Sequence, residues 1–487
     1  MSAAAGDAGV APGRDLRVWG LWAIPLAFAL WLTLTYPTWP GYDSLYSLLW
    51  GREITEGVVP GFDAYRAPTQ HPLLVALSVV LGPLGEAGGR ILVGICMVSV
   101  VALAGAAWRL GRLAAGTLCG VIAALLILSR MNYWLLASIG FLDLPYIALV
   151  GWAAVLEAER PRRGGIVWAL LALAGLLRPE AWVLAGAYAL WIGWPGGVRG
   201  VLRAAPAAAI APVLWALTDL AVTGSPVFSL THTDDLALAL QRERPLTDLP
   251  GLGLRLLSEI VKPPVIAAAA IGAAAAIRMR RRELTVPAAL ALLTVATYAL
   301  IAVGGLPNVY RYLLNAGTGI VVFAAFGLAG FALLDRETPL RRWWAVAATF
   351  VLVAGGAWTV AHTSPAKARV LMEQRAQIPR ELHELLSTPE AQRLRACAPV
   401  TVPNQKLIPV LRLMFDLPEG TVVARTEPLR LNPRRGAVVL IDEDVDSIPA
   451  LSLYDVPSDR GRRLTIPPPG FTEVGRTPMF ILYGGGC

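Results

Sequence analysis

Long uncharged stretches alternate along this chain with short clusters of arginine. The stretches cover 18–42, 91–108, 113–129, 144–156, 164–177, 181–198, 204–218, 263–277, 284–310, 312–334 and 343–361. Each predicts a membrane-spanning helix, and the shorter ones, near or below the minimum of about 17 residues, need flanking side chains to snorkel. The first helix is expected over 18–35, behind a Gly/Ala-rich tail at 1–17 that ends in Arg14 and Arg17 and reads as cytoplasmic.

The arginine clusters set the direction of threading. Arg14/Arg17, Arg109/Arg112, Arg160/Arg162/Arg163, Arg199/Arg203, Arg278/Arg280/Arg281/Arg282 and Arg336/Arg341/Arg342 hold 16 basic residues against 7 acidic ones. The remaining segments before residue 362 hold 10 basic and 13 acidic. That asymmetry has the positive-inside sign, and alternate crossings between the markers give about eleven spans with the carboxyl terminus outside. Parity leaves no room for residues 72–84, PLLVALSVVLGPL, to cross, so this short apolar segment is read as tilted or re-entrant.

Composition supports a polytopic α-helical membrane protein. Of 487 residues, 56% are hydrophobic and 16% charged, and the mean hydropathy is +0.57, too apolar for a soluble domain of this size. The basic residues are nearly all arginine, since Lys262, Lys367 and Lys406 are the only lysines, a bias of GC-rich genomes. A net charge of +8 is accounted for by arginines that orient helices, so nucleic acid is not the implied partner.

The remaining pieces carry the candidate chemistry. Loop 36–71 is outside, rich in Tyr, Trp, Asp and Pro, and contains an amphipathic segment at 44–56 expected to lie in the interface. A second outside loop, 223–262, carries His232, Asp234, Asp235 and another amphipathic stretch, LGLRLLSEIVK. Residues 362–487 read as a small outer α/β domain, with a polar helical segment over about 366–395 and β-like runs at 399–403, 421–426, 437–442 and 478–483. Cys96 and Cys119 lie in apolar spans as small buried residues. Cys397 and Cys487 either close a 90-residue loop in an oxidising compartment, worth about 2–5 kcal/mol, or remain two free thiols.

Charged groups at the outer ends of spans are costly to desolvate and mark sites. Asp43 follows the first helix in TWPGYDSLYSLLWGREI and reads either as an N-cap or as a general base for an acceptor hydroxyl. Arg66 and His71 lie in FDAYRAPTQHPLL, one suited to bidentate phosphate binding and the other an interfacial hydrogen-bonding residue. Arg130 and Asp143 bracket a hydrophobic hairpin. Arg178 and Glu180 in LLRPEAW suit a mutual ion pair at an outer turn. Arg311, between Tyr310 and Tyr312, suits a lipid phosphate or simple snorkelling. No P-loop, GxSxG, HExxH or zinc-spaced Cys/His cluster is present, and no metal or other cofactor is required, although Asp234-Asp235 is a doublet that can take a divalent cation. The charges collect on one side and form no buried relay of the kind a transporter uses.

The ordered set of motifs resembles the GT-C glycosyltransferases, near the protein O-mannosyltransferase and aminoarabinose transferase branch. It comprises an acid after the first span (GYDSLYSLLWGREITEGVVP), AYRAPTQHPLL, GFLDLP, LAGLLRPEAW and VYRYLLN, and covers about 18–361. The resemblance implies a membrane enzyme that moves a sugar from a polyprenyl-phosphate donor to a hydroxyl of a glycan, protein or lipid at the outer face of the cell membrane, with inversion. It also implies Asp43 as the base or acceptor-positioning residue, and Arg66, His71, Asp143 and Arg311 as the cavity lining for donor phosphate and sugar; Arg178, Glu180 and Tyr312 join them as candidate substrate-binding residues. Two departures stand out: Ser44 occupies a place where many relatives have a second acid, and His71-Pro72-Leu73 replaces a doubled proline. A transporter of lipids or lipid-linked sugars, and a polymer ligase using a diphosphate lipid, are the alternative readings.

Overall fold

The computed structural model describes residues 15–36, 38–239, 248–427, 432–442 and 466–487; the first fourteen residues of the amino-terminal tail and residues 240–247 of the second outer loop lie outside them. The first half of the chain forms α1 (Asp15–Thr35), α2 (Tyr42–Thr55), α3 (Pro72–Leu81), α4 (Glu86–Leu128), α5 (Met131–Ser138), α6 (Asp143–Glu159), α7 (Gly165–Leu177), α8 (Glu180–Gly193) and α9 (Gly197–Thr223). Then come α10 (Phe228–Ala239), α11 (Leu249–Val261), α12 (Pro263–Arg278), α13 (Thr285–Val303), α14 (Leu314–Ala329) and α15 (Pro339–His362). Residues beyond these form α16 (Pro365–Leu386), α17 (Pro389–Cys397), α18 (Ile408–Met414) and strands β1 (Val400–Val402), β2 (Val422–Ala424), β3 (Gly436–Ile441), β4 (Thr472–Arg476) and β5 (Phe480–Gly485).

The chain is a helical, multi-pass membrane protein. Among the described residues, five helices are long and apolar enough to cross a membrane: Glu86–Leu128, Glu180–Thr223, Arg282–Val303, Tyr310–Leu333 and Pro339–His362. A sixth is present if α11 and α12, bent by 103°, count as one span. The difference from the eleven uncharged runs of the sequence lies in how helices pair. Helix α4 breaks at Ala115 and Gly116, the latter with φ +80°, and its two parts fold back together. An added Cβ on Gly111 would stand 2.8 Å from the Cys119 carbonyl oxygen, so only a glycine lets the arms approach this closely. Shorter apolar helices Gly20–Thr35 and Gly165–Leu177 carry two other runs, and Pro72–Leu84 is the segment that the sequence left out of the crossings.

Polar contacts gather the two ends of the bundle. At one end Arg109 pairs with Glu159, and Arg281 donates to the Ala114 carbonyl oxygen at 2.9 Å. Glu157 there accepts from the Arg162 amide at 2.7 Å, the Tyr188 hydroxyl at 2.9 Å and Trp191 Nε1 at 2.6 Å. These are turns that the sequence marks by arginine. At the other end lie Gly41, Ile139, Asp143, Arg178 and Arg311, together with the carboxyl-terminal unit.

That unit has a five-stranded sheet in the order β2-β1-β3-β5-β4, parallel across β2, β1 and β3 and antiparallel across β3, β5 and β4. Strand β3 is buried along its length, so GAVVLI is apolar at nearly every position, as expected for a central strand. Cys397, at the end of α17, and Cys487 form a disulfide across 90 residues.

Helix α2 departs from the interfacial segment expected at 44–56. Ser44 through Gly51 and Glu53 are all buried, because α3 packs against it on one side and the carboxyl-terminal unit on another. An added Cβ on Gly51 would fall 2.1 Å from the Ser78 carbonyl oxygen, which is why a glycine occupies the crossing. The polar positions that made the segment look amphipathic, Arg52 and Glu53, face protein partners instead of water.

Candidate active site

The site is built on the first turn of α2. The Gly41 amide donates to the Ile139 carbonyl at 2.7 Å, and the Ser44 hydroxyl donates to the Gly140 carbonyl at 2.7 Å. These two bonds pin the helix start to the turn that precedes α6. The residue before the helix is Gly41, in extended conformation with no side-chain cap, so Asp43 does not cap the helix as one sequence reading allowed. It sits inside the first turn, where the helix dipole favours a carboxylate and its oxygens remain free for other partners.

Arg311 is that partner. It stands in a single 3-10 turn, Tyr310–Leu313, leading into α14, and its guanidinium lies 5.0 Å over the Phe141 ring. Its Nη1 is 3.5 Å from Asp43 Oδ2, with the two side chains 23% and 31% exposed. Arg311 therefore turns inward to the acid and does not simply snorkel. Its neighbour Tyr312 lies under Arg178, whose guanidinium is 5.8 Å from the ring centre.

Behind this open pair lies a closed one. Arg178 leaves the end of α7 in extended conformation and grips Glu180 with two bonds, 2.6 and 3.3 Å. Its Nη1 is also 3.4 Å from Asp143, and all three side chains are at most 6% exposed. The mutual ion pair expected of Arg178 and Glu180 thus widens into a triad that includes the acid opening α6. A buried triad of this kind holds its members in one geometry, since removing one charge strands the others at a cost of about 3–5 kcal/mol.

His71 borders the same cluster. It precedes α3, with Pro72 at the first helical position, and its ring meets Trp215 edge-on at 5.8 Å. Burial, reinforced by Arg178 and then Arg311, pushes the imidazole down to about 3, so it is neutral at working pH. The segment before it is clamped by α10: His232 Nε2 is 2.8 Å from the Ala67 carbonyl oxygen, and Thr69 and Thr233 hydroxyls are 2.6 Å apart.

Sequence reasoning missed Asp219. This acid, 1% exposed, accepts from Gln70 Nε2 at 2.8 Å, from the Ser229 amide at 2.9 Å and from the Ser229 hydroxyl at 2.8 Å. It ties α9 and α10 to the residue next to His71. The available signal was its isolation, as the only charged residue between Arg203 and Asp234.

Arg66 takes a place at the rim. Its backbone adopts φ +53°, its carbonyl accepts from the Tyr42 hydroxyl at 2.8 Å, and its guanidinium donates to the Ala239 carbonyl at 3.3 Å. Burial raises the Tyr42 hydroxyl well above its ordinary value and pushes Tyr46 up to about 12, so both remain protonated. Beside the Arg311 turn a cavity of about 300 Å³ is lined by Tyr133, Leu136, Ile260, Tyr310 and Leu314, with Asn132 and Glu259 at its polar edge. Asp234 and Asp235 sit on α10, and among the described residues no three His, Cys, Asp or Glu side chains converge to hold a metal.

No family model matches the chain, and no curated protein matches it by sequence. Solved structures do. The aminoarabinose transferase ArnT from Cupriavidus metallidurans, with undecaprenyl phosphate bound, superposes with a TM-score of 0.54 at 13% identity, over 97% of this chain and 98% of that one. Its apo form gives 0.52 at 13% identity, over 96% and 98%. The archaeal oligosaccharyltransferase AglB from Archaeoglobus fulgidus, in complex with an inhibitory peptide and a dolichol-phosphate, gives 0.50 at 11% identity, over 92% and 72%. Over nearly its whole length, the chain has the fold of the GT-C glycosyltransferases.

Proposed function

We propose that the protein is a membrane glycosyltransferase that moves a sugar from a polyprenyl-phosphate donor to a hydroxyl acceptor at the outer face of the cell membrane. One observation carries this reading: a partly exposed acid, Asp43, faces a partly exposed arginine, Arg311, in front of a buried acid–arginine triad. The polyprenyl phosphates bound to ArnT and AglB support the donor class.

In the proposed step the acceptor oxygen attacks the anomeric carbon while Asp43 takes its proton. The bond from that carbon to the phosphate oxygen breaks, and the electron pair leaves on the polyprenyl phosphate. Arg311 offsets the added negative charge, with Arg178 behind it. A direct displacement inverts the anomeric centre. The apolar cavity beside Tyr310 suits the first isoprene units of the donor. Neutral His71 lines the sugar end and Arg66 the rim. In this reading the positive charge comes from the arginines and calls for no metal.

The test offers purified protein in lipid nanodiscs a panel of polyprenyl-monophosphate sugars with a crude cell-envelope acceptor. The expected result is consumption of one donor with polyprenyl phosphate released. Cargo delivered across the bilayer with the donor intact would overturn the reading in favour of transport.

A further inference from the structure

The carboxyl-terminal unit reaches the site through α2. Helix α18 lies across the far end of α2, and Arg412 Nη2 is 2.5 Å from Glu53 Oε1 with both residues at most 4% exposed. Arg412 Nε also donates to the Leu417 carbonyl at 3.2 Å, which fixes its own orientation. Arg52 answers in the opposite direction, donating to the Arg412 carbonyl at 3.1 Å and the Leu413 carbonyl at 3.4 Å, and pairing with Asp416 at 3.0 Å. Leu45, from the same helix, is part of the carboxyl-terminal hydrophobic core, and Leu413 packs against the Tyr46–Trp50–Phe62 cluster.

Glu53 and Asp43 are ten residues apart on one helix, about 15 Å along its axis. Helix α2 is thus held near Asp43 by residues 139 and 140, along one face by α3 at the Gly51–Ser78 crossing, and near Glu53 by residues 412 and 413. A helix held at its first turn and packed on α3 along one face alone can still tilt away from the carboxyl-terminal side, and the tilt changes where the first-turn carboxylate lies relative to Arg311. A buried ion pair adds little net stability, but it admits one geometry.

We propose that Arg412 is a positioning residue for transfer: its pair with Glu53 sets the orientation of α2 and so the placement of Asp43. The role assigned to Asp43 rests on the transferase reading. The experiment therefore has one arm that needs no turnover. Arg412→Ala and the near-isosteric Glu53→Gln are made in the full chain, and hydrogen exchange is read across α2 beside donor-dependent kinetics.

Both variants are expected to raise exchange in residues 42–52 about tenfold while exchange in α4 stays at wild-type values. Turnover is expected to fall about tenfold, with KM for the donor within about twofold, because the arginines that bind phosphate are untouched. If Arg412→Ala does not fold, Glu53→Gln carries the test. Unchanged exchange in α2 overturns the proposal whatever the kinetics show, and raised exchange with unchanged kcat overturns it as well. If wild type consumes no donor, the transferase reading fails and the exchange arm alone decides whether Arg412 sets α2.

Discussion

Two carboxylates at opposite ends of the bundle have opposite surroundings. Glu157, 7% exposed, is enclosed by the Arg162 amide, the Tyr188 hydroxyl and Trp191 Nε1. Asp43 is 31% exposed, and among the described residues its carboxylate has Arg311 as its polar partner, at the longer distance of 3.5 Å. A fully bonded acid has no lone pair to offer a substrate and its removal costs stability. An acid with one long contact at the mouth of a site can exchange that contact for a substrate proton. The proposed chemistry therefore uses the open acid at the Arg311 end and leaves the enclosed Glu157 a structural role.

The contrast breaks most sharply at the open pair. Replacing Asp43 by Asn should reduce donor consumption by about 10³-fold or more while the unfolding midpoint stays at the wild-type value, checked by kinetics and a thermal melt. Replacing Arg311 by Ala should reduce kcat by about 10²–10³-fold, with partial recovery in Arg311→Lys, because a point charge can replace part of the guanidinium. The closed end should behave in reverse: Glu157→Gln should leave turnover within about twofold and lower stability by about 1–3 kcal/mol, read from denaturation in detergent.

The smallest effect concerns His71. Its folded-state value lies far below the ordinary 6.5, so the stability gained from keeping it neutral is complete above 6.5 and is lost as pH falls toward about 3. A pH series of melts should show that decline, removed in His71→Gln, and the rate profile should show no limb near 6.5.

The fold was legible wherever one chemical signal dominated. Uncharged runs between arginines mark the helices, because lipid-facing and core-facing surfaces both demand apolar residues. Strand β3 reads directly from GAVVLI, whereas β4, TEVGR, was invisible because it is an exposed edge strand with no apolar alternation. The burial of α2 was illegible because its polar residues pair with partners some 360 positions away, as Glu53 does with Arg412. For the site, Asp43, Arg178, Glu180 and Arg311 were visible as charges at span ends. Their grouping was not, since it depends on how four separate turns meet. Asp219 escaped because a single acid between two apolar stretches looks the same whether it lies at a surface or, as here, holds Gln70 and Ser229.

The most direct measurement is the anomeric configuration of the transferred sugar, read by NMR after one donor turnover, together with the mass of the lipid released. Direct displacement with Asp43 as base gives an inverted centre and polyprenyl monophosphate as the leaving lipid. Retention of configuration, which a single in-line displacement cannot give, would contradict the role given to Asp43.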